Sequence, residues 1–374
     1  MKKNEYVLVI DVGSSKIKAM YAGEGLNNTF KIKGEKVVEY DGFYEGKFLD
    51  EEKLSNIFEQ IFTELDISPK KVGKVYISVP AEFSSVRTSD VSINLGDRRK
   101  IKKSDVDSLF YMASEKAKNA DVEIVSVNAI SYCLDDGRIT TTPKGESATS
   151  LLAKLSIIYA DKEYIDLFNS LLASFNFNSV EYISDMLAQA LYVIPKEKRE
   201  DLALLIDVGD LTSSIAFVKG EGLVGLTSFS RGGGFITNDL SEAFNISFNE
   251  AERLKNQIVL SVKAKPSDFY ELASDIGKTI KIPLAQANEV ANYRIDEIAQ
   301  VISKCAQMWT KEYVAYLPVY LTGAGISKIK GGRDYLAKCL GRNVSYGVPN
   351  LPGKDKPELS SIYSVLNEAL KSNK

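Results

Sequence analysis

One short pattern occurs twice in this chain, half its length apart, and it limits the fold more than any other feature. Val7-Leu8-Val9-Ile10 is an apolar run ended by Asp11-Val12-Gly13 and followed by a second run through Ile17 and Ala19. Leu204-Leu205-Ile206 is ended by Asp207-Val208-Gly209 and followed by Thr212 to Val218. An apolar run closed by Asp and Gly, then answered by a short alternating run, reads as a β-hairpin. Two such hairpins in corresponding places predict two lobes built on one plan.

Strand and helix patterns alternate around both copies. Lys74–Val79 and Val319–Gly323 read as strands. Helical spacing is clear in Leu54–Leu65, Ser104–Ala117, Ser184–Val193, Asn249–Gln257 and Val290–Trp309. Mixed elements of this kind predict an α/β architecture. Between the first lobe's strands and Asp207 lies Phe83–Ala160, with strand patterns at Val91–Leu95, Val122–Val127 and Leu151–Tyr159. Its helix is expected to start at Ser104 as N-cap, with Asp105 and Asp107 in the first turn. The loop Thr140–Glu146 breaks it, and the whole stretch reads as a small inserted α+β subdomain.

Composition narrows the chemistry. The 374 residues contain no histidine, which removes the commonest general base and every Ser-His or Cys-His nucleophile. Any reaction must use carboxylates, lysines, hydroxyls, backbone amides and bound cations. Net charge is −3, so no general attraction to nucleic acid is expected. Cys133, Cys305 and Cys339 are sparse and odd in number, as in a reducing compartment. Met1 to Tyr6 is basic, but the apolar run behind it stops at Asp11 without a cleavage site, so no signal peptide is expected. No window reaches the ~18 apolar residues of a membrane span. A cytoplasmic protein is the expectation.

In Asp11-Val12-Gly13-Ser14-Ser15-Lys16 a tight turn can aim consecutive amides and two hydroxyls at one anion, with a lysine beside them. Asp11 is placed to hold a hydrated Mg²⁺ rather than the phosphate. Alone, such a turn is more often structural. Three further segments add weight: Asp207-Val208-Gly209, Arg231-Gly232-Gly233-Gly234, and Leu321-Thr322-Gly323-Ala324-Gly325 at a strand end, where open α/β sheets bind ligands.

Carried by these residues, the chain resembles the actin-like ATPase superfamily, and within it the bacterial cell-division family FtsA. The matching stretches are Ile10 to Lys18, Gly232-Gly233-Gly234-Phe235-Ile236-Thr237-Asn238-Asp239-Leu240, Glu250-Ala251-Glu252-Arg253-Leu254-Lys255, Arg294-Ile295-Asp296-Glu297-Ile298 and Leu321 to Gly325. The insertion is similar to that family's SHS2-type module. The resemblance implies an α/β, actin-like two-lobed fold of duplicated ribonuclease-H-like domains with that module inserted. The first lobe would be 1–82 with 165–196 and 345–374, the insertion 83–164, the second lobe 197–245 with 306–344, and its upper subdomain 246–305.

The resemblance also implies roles. Gly13, Ser14, Ser15 and Lys16 would contact the β- and γ-phosphates of ATP, with Gly209 and Thr212 opposite. Asp11 and Asp207 would orient Mg²⁺ through its waters. Glu252 and Lys255, three apart on a helix face, would flank the adenosine. Gly323, Ala324 and Gly325 would pass under the base and ribose, and Gly232 and Gly233 would approach the sugar-phosphate. Two departures stand out. The second turn reads Asp207-Val208-Gly209-Asp210-Leu211-Thr212-Ser213-Ser214 where relatives have more glycine and a closing carboxylate, and Asp185-Met186 replaces Glu-Pro. Asp185 keeps a carboxylate to position water, so the expectation is ATP binding with slow hydrolysis or none.

The family implies the C-terminal tail of the tubulin-like FtsZ, other division proteins and the chain itself, as dimer or protofilament, for partners. Its place would be cytoplasmic, at the septum on the inner face of the membrane. Ile362–Lys371 reads as a core helix and not a basic amphipathic anchor. Membrane attachment would then need a partner or a C-terminal helix missing here. The rival readings are a type IV pilus-type (PilM-like) actin-fold scaffold binding a membrane-protein peptide and, less favoured, a small-molecule kinase.

Overall fold

A computed structural model describes residues 5–44, 46–274, 277–309 and 317–373. Met1 to Asn4, part of the signal-peptide reading, lie outside the described residues, as do residues 310–316 of the expected second lobe. The elements run β1 (Tyr6–Val12), β2 (Lys16–Glu24), β3 (Phe30–Glu39), β4 (Phe43–Tyr44), β5 (Lys47–Phe48), α1 (Glu51–Glu64), β6 (Val75–Val79), β7 (Ser84–Lys100), α2 (Lys103–Ala117) and β8 (Val122–Leu134). Then follow β9 (Ile139–Thr140), β10 (Ser147–Asp161), α3 (Lys162–Ser174), β11 (Val180–Ser184), α4 (Asp185–Val193), β12 (Ala203–Val208), β13 (Ser213–Lys219) and β14 (Gly222–Phe229). The last are α5 (Gly233–Phe244), α6 (Phe248–Gln257), β15 (Phe269–Ala273), β16 (Thr279–Pro283), α7 (Leu284–Trp309), β17 (Val319–Thr322), α8 (Gly332–Leu340), β18 (Val344–Tyr346) and α9 (Ser360–Ser372).

Two sheets carry one plan. The first is ordered β11-β6-β1-β2-β3 and the second β14-β13-β12-β17-β18, so β1 and β12 are each central, with a sequential neighbour on one side and a crossover strand on the other. In the first sheet β1, β6 and β11 are parallel while β2 and β3 run antiparallel. In the second, β12, β17 and β18 are parallel. Parallel strands covered on both faces read as unbroken apolar runs; hence Leu8, Val9 and Ile10, like Leu205 and Ile206, are wholly buried. This is the mixed α/β arrangement of two matching sheets that the repeated hairpins predict.

The chain divides into two compact units, 1–203 with 216–227 and 361–374, and 204–215 with 228–360. The division falls within β13 and β14. In the first unit the inserted sheet, β7-β10-β8-β9, is antiparallel throughout and covered by α2. Leu151, Ala153, Leu155 and Ile157 of β10 face inward at period two and meet Leu109 and Ala113 of α2. Its strands extend well past the sequence-predicted segments. β7 and β8 keep pairing with β10 through polar positions such as Ser89 and Ser131, which a run of apolar residues does not reveal.

The expected N-cap Ser104 is corrected. α2 begins at Lys103, and the Lys102 amide donates to Asp105 Oδ2 at 2.7 Å, so Asp105 serves the helix start from inside its first turn. Arg99 grips the same carboxylate at 2.7 and 2.9 Å and is the main reason its pKa falls to about 2. α7 begins six residues before the predicted Val290, because Leu-Ala-Gln-Ala-Asn-Glu after Pro283 contains no breaker. α9 buries Ile362, Tyr363, Val365, Leu366 and Ala369, which makes it a core helix. Among the described residues no helix is long and apolar enough to cross a membrane.

Candidate functional site

In the first unit β1 ends at a buried charge. Asp11 is 5% exposed, and a carboxylate out of water must be met by cations or donors. Three elements supply them. Lys18 Nζ on β2 lies 3.1 Å from Oδ2. Ser78 Oγ on β6 donates to Oδ1 at 3.2 Å while accepting from the Val12 amide at 2.8 Å. Ser361 Oγ on α9 lies 2.6 Å from Oδ1 and also 2.7 Å from Asp185 Oδ1, at the start of α4. Gln189 Nε2 donates to both Asp185 oxygens at 3.1 Å. Asp11 and Asp185, distant in sequence, therefore meet around one hydroxyl.

The turn beyond Asp11 is closed by the Gly13 amide donating to Lys16 O at 3.0 Å. A Cβ on Gly13 would stand 2.9 Å from that carbonyl, so a side chain there would force the turn open. Ser14 and Ser15 form its tip. Lys16 is half exposed and pairs with Glu39 at 3.4 Å, whereas Lys18, one strand period further, turns to Asp11. Lys18, Ser78 and Ser361 were not singled out from sequence. The tight hairpin register, which pairs Lys18 with Asp11, was the signal for Lys18; nothing local pointed to the two serines.

In the second unit the equivalent turn closes in the same way, with the Gly209 amide donating to Thr212 O at 3.0 Å. Its surroundings differ. The glycine segments pack backbone against backbone. The amides of Gly233 and Gly234, which open α5, donate to Gly209 O at 2.9 Å and Asp210 O at 2.8 Å, and Gly325 donates to Val208 O at 2.8 Å. A Cβ on Gly233 would lie 2.3 Å from the Gly325 Cα, and one on Gly323 2.4 Å from Asp207 Oδ1. These glycines, with Gly232 against Asp210 O, are required by one another. Ala324 stands between two of them.

Glu252 and Lys255 share a face of α6, as their spacing predicts. Lys255 is 3% exposed, and its Nζ meets Glu252 Oε2 at 2.6 Å, Thr237 Oγ1 at 2.8 Å and Gly233 O at 3.1 Å. An ammonium has three protons, and each has an acceptor here, so the lysine ties α6 to the first turn of α5. Burial pushes the Glu252 pKa up, but Lys255 and the Thr237 hydroxyl outweigh it, and the net direction is down.

Among the described residues no group of three His, Cys, Asp or Glu side chains could hold a metal ion by itself. Mg²⁺ does not need one, since it keeps waters and uses one or two carboxylates with phosphate oxygens. Asp11 and Asp185 beside the Gly13 turn fit that donor set.

The sheets, the inserted module and the paired Asp-x-Gly turns define the actin-like class. Solved structures agree on the fold. One chain of a PilM–PilN type IV pilus biogenesis complex superposes with a TM-score of 0.64 at 14% identity, covering 98% of this chain and 99% of that one. MreB 5 of Spiroplasma citri, bound to AMPPNP, gives 0.55 at 12% identity over 99% and 97%. Sequence comparison is more specific: residues 204–364 match the model of cell division protein FtsA, and residues 83–159 match that of the SHS2 domain inserted in FtsA. The FtsA of Bacillus subtilis is 24% identical across all of this chain and 85% of its own length, and that of Staphylococcus epidermidis 21% across 98% and 80%. The chain belongs to the FtsA family.

Two predictions follow from the second unit's geometry. Gly233→Ala should lower stability by about 1–3 kcal/mol in chemical denaturation, the usual cost of an overpacked contact; an unchanged midpoint contradicts the backbone packing described. Glu252, its pKa held below the ordinary 4.5, stabilises the fold above that pH and loses the contribution as pH falls through its folded value. In Lys255→Met burial is the larger influence left, so the carboxyl-carbon NMR midpoint of Glu252 should move up. An unmoved midpoint contradicts the pairing.

Proposed function

We propose that this chain is an actin-like adaptor of bacterial cell division that binds Mg·ATP and hydrolyses it slowly or not at all. The observation that carries the reading is the buried Asp11 carboxylate, held by Lys18, Ser78 and Ser361 beside the Gly13–Ser15 turn in a chain of the FtsA family. Ser14, Ser15 and their amides would receive the phosphates, and Asp11 would hold Mg²⁺ through water, with Asp185 orienting a water nearby. The cation would neutralise charge on the phosphates. The Thr212 hydroxyl and the close backbone approach at Gly209 would take phosphate, and Asp207 the cation's water, in the second unit. Slow turnover is supported by Asp210-Leu211, which puts a carboxylate and an apolar side chain where relatives have glycine, and by the short arm of Asp185.

The division role is brought by the relatives, both of which are named cell division proteins. The region 246–305, with α6, β15, β16 and most of α7, is the proposed seat of the FtsZ tail. Self-assembly and a position at the septum, on the cytoplasmic face of the membrane, complete the proposal. A second reading, a peptide-binding scaffold that takes no nucleotide, is favoured by one observation: the Lys255 protons and the first α5 amides are already bound to protein acceptors.

Calorimetric titration with Mg·ATP separates the two. Saturable binding to the wild type, weakened about 30-fold or more in Asp11→Ala, is the expected result, in line with the loss of a charge-assisted contact. A wild type that takes up no nucleotide overturns the first reading and leaves the scaffold.

A further inference from the structure

Ser360 and Ser361 open α9, and the chain passes from the second unit to the first between them. Ser360, fully buried, gives its hydroxyl to Gly347 O at 2.6 Å inside the second unit. Ser361 faces the two carboxylates of the first, Asp11 Oδ1 at 2.6 Å and Asp185 Oδ1 at 2.7 Å. A hydroxyl has one proton to donate. Two acceptors at hydrogen-bonding distance therefore compete for it, and the demand on one decides which of them the hydroxyl serves.

Asp11 is the member of the pair whose demand can change. Its oxygens already accept from Lys18 and Ser78. We infer that Ser361 is a positioning residue that links cation occupancy at Asp11 to the first turn of α9; the inference rests on the reading that Mg·nucleotide binds at the Gly13 turn. With a hydrated cation held beside it, Asp11 turns its lone pairs to the cation's water, and Ser361 gives its proton to Asp185 alone. The tie of α9 then moves from the end of β1 to the start of α4. No covalent step is involved. The hydroxyl keeps one acceptor where two shared it before, so the first turn of α9 opens more often.

Hydrogen exchange of the full chain, with and without Mg²⁺ and AMPPNP, tests this, with saturation fixed from each variant's own titration. The amides of Ser364, Val365 and Leu366 close the first turn of α9. In the wild type they should exchange about twofold faster when loaded, the statistical factor for one acceptor in place of two that share a single proton. Ser361→Thr keeps the hydroxyl and should reproduce that response. Ser361→Ala should exchange about fivefold faster than the unloaded wild type, the factor of one net hydrogen bond, with or without ligand. Rates in the wild type that do not respond to saturating ligand overturn the inference, and so does a ligand response in Ser361→Ala equal to that of the wild type. Should the alanine variant not fold, the wild type and Ser361→Thr decide it alone. Absence of saturable binding to the wild type appears in the titration itself and removes the nucleotide reading first, and the inference with it.

Discussion

A carboxylate buried at the end of a central strand is the interaction on which the first unit's site depends. Taking an ionised group out of water costs far more than a domain's net stability unless donors replace the lost hydration. Around Asp11 the donors come from β2, β6 and α9, elements far apart in sequence. Each is already fixed by its own apolar face: Ile17 and Ala19 in β2, Val75 and Ile77 in β6, Ile362 and Val365 in α9. Packing thus delivers the polar groups, and the polar groups keep the charge at the turn. Pre-arranged oxygen ligands beside a tight glycine turn are what a phosphate–cation pair needs.

The two copies of the hairpin have drifted apart in use. Both close through the same glycine amide with the same bond length. In the second unit, however, the neighbouring glycine segments are knit by their own backbone hydrogen bonds, and Lys255 is fully engaged between α5 and α6. Rigid backbone-to-backbone packing of this kind makes a firm floor but leaves fewer free donors. On the proposed reading, a nucleotide held with slow turnover or none has less need of donors aimed at the charge that develops during hydrolysis.

Much of this was legible in the sequence because it is locally encoded. The hairpins follow from apolar runs stopped by Asp and Gly, and the repeat of strand order follows from the repeat of the motif. The inserted module was visible as an interruption with its own strands and helix. What was not legible is what folding brings together. Ser78 and Ser361 carry no pattern of their own, yet both reach Asp11. Gly233 and Gly325 read as places for a ligand to approach, and the fold brings each against the other. Lys16 looked like the turn's lysine because it is adjacent, but the hairpin register sets Lys18 opposite Asp11 while Lys16 pairs with Glu39. Asp105, not Ser104, serves the start of α2 because a carboxylate three residues beyond the cap reaches back to its amide.

The central claim is that the Gly13 turn and Asp11 form a prepared seat for a phosphate and its cation. A crystal structure of the chain grown with Mg²⁺ and AMPPNP tests it most directly. The account predicts phosphate oxygens on the amides and hydroxyls of Ser14 and Ser15, with a water of the cation on Asp11. Nucleotide bound elsewhere, or a turn free of density with Asp11 still held by Lys18, Ser78 and Ser361, would contradict it.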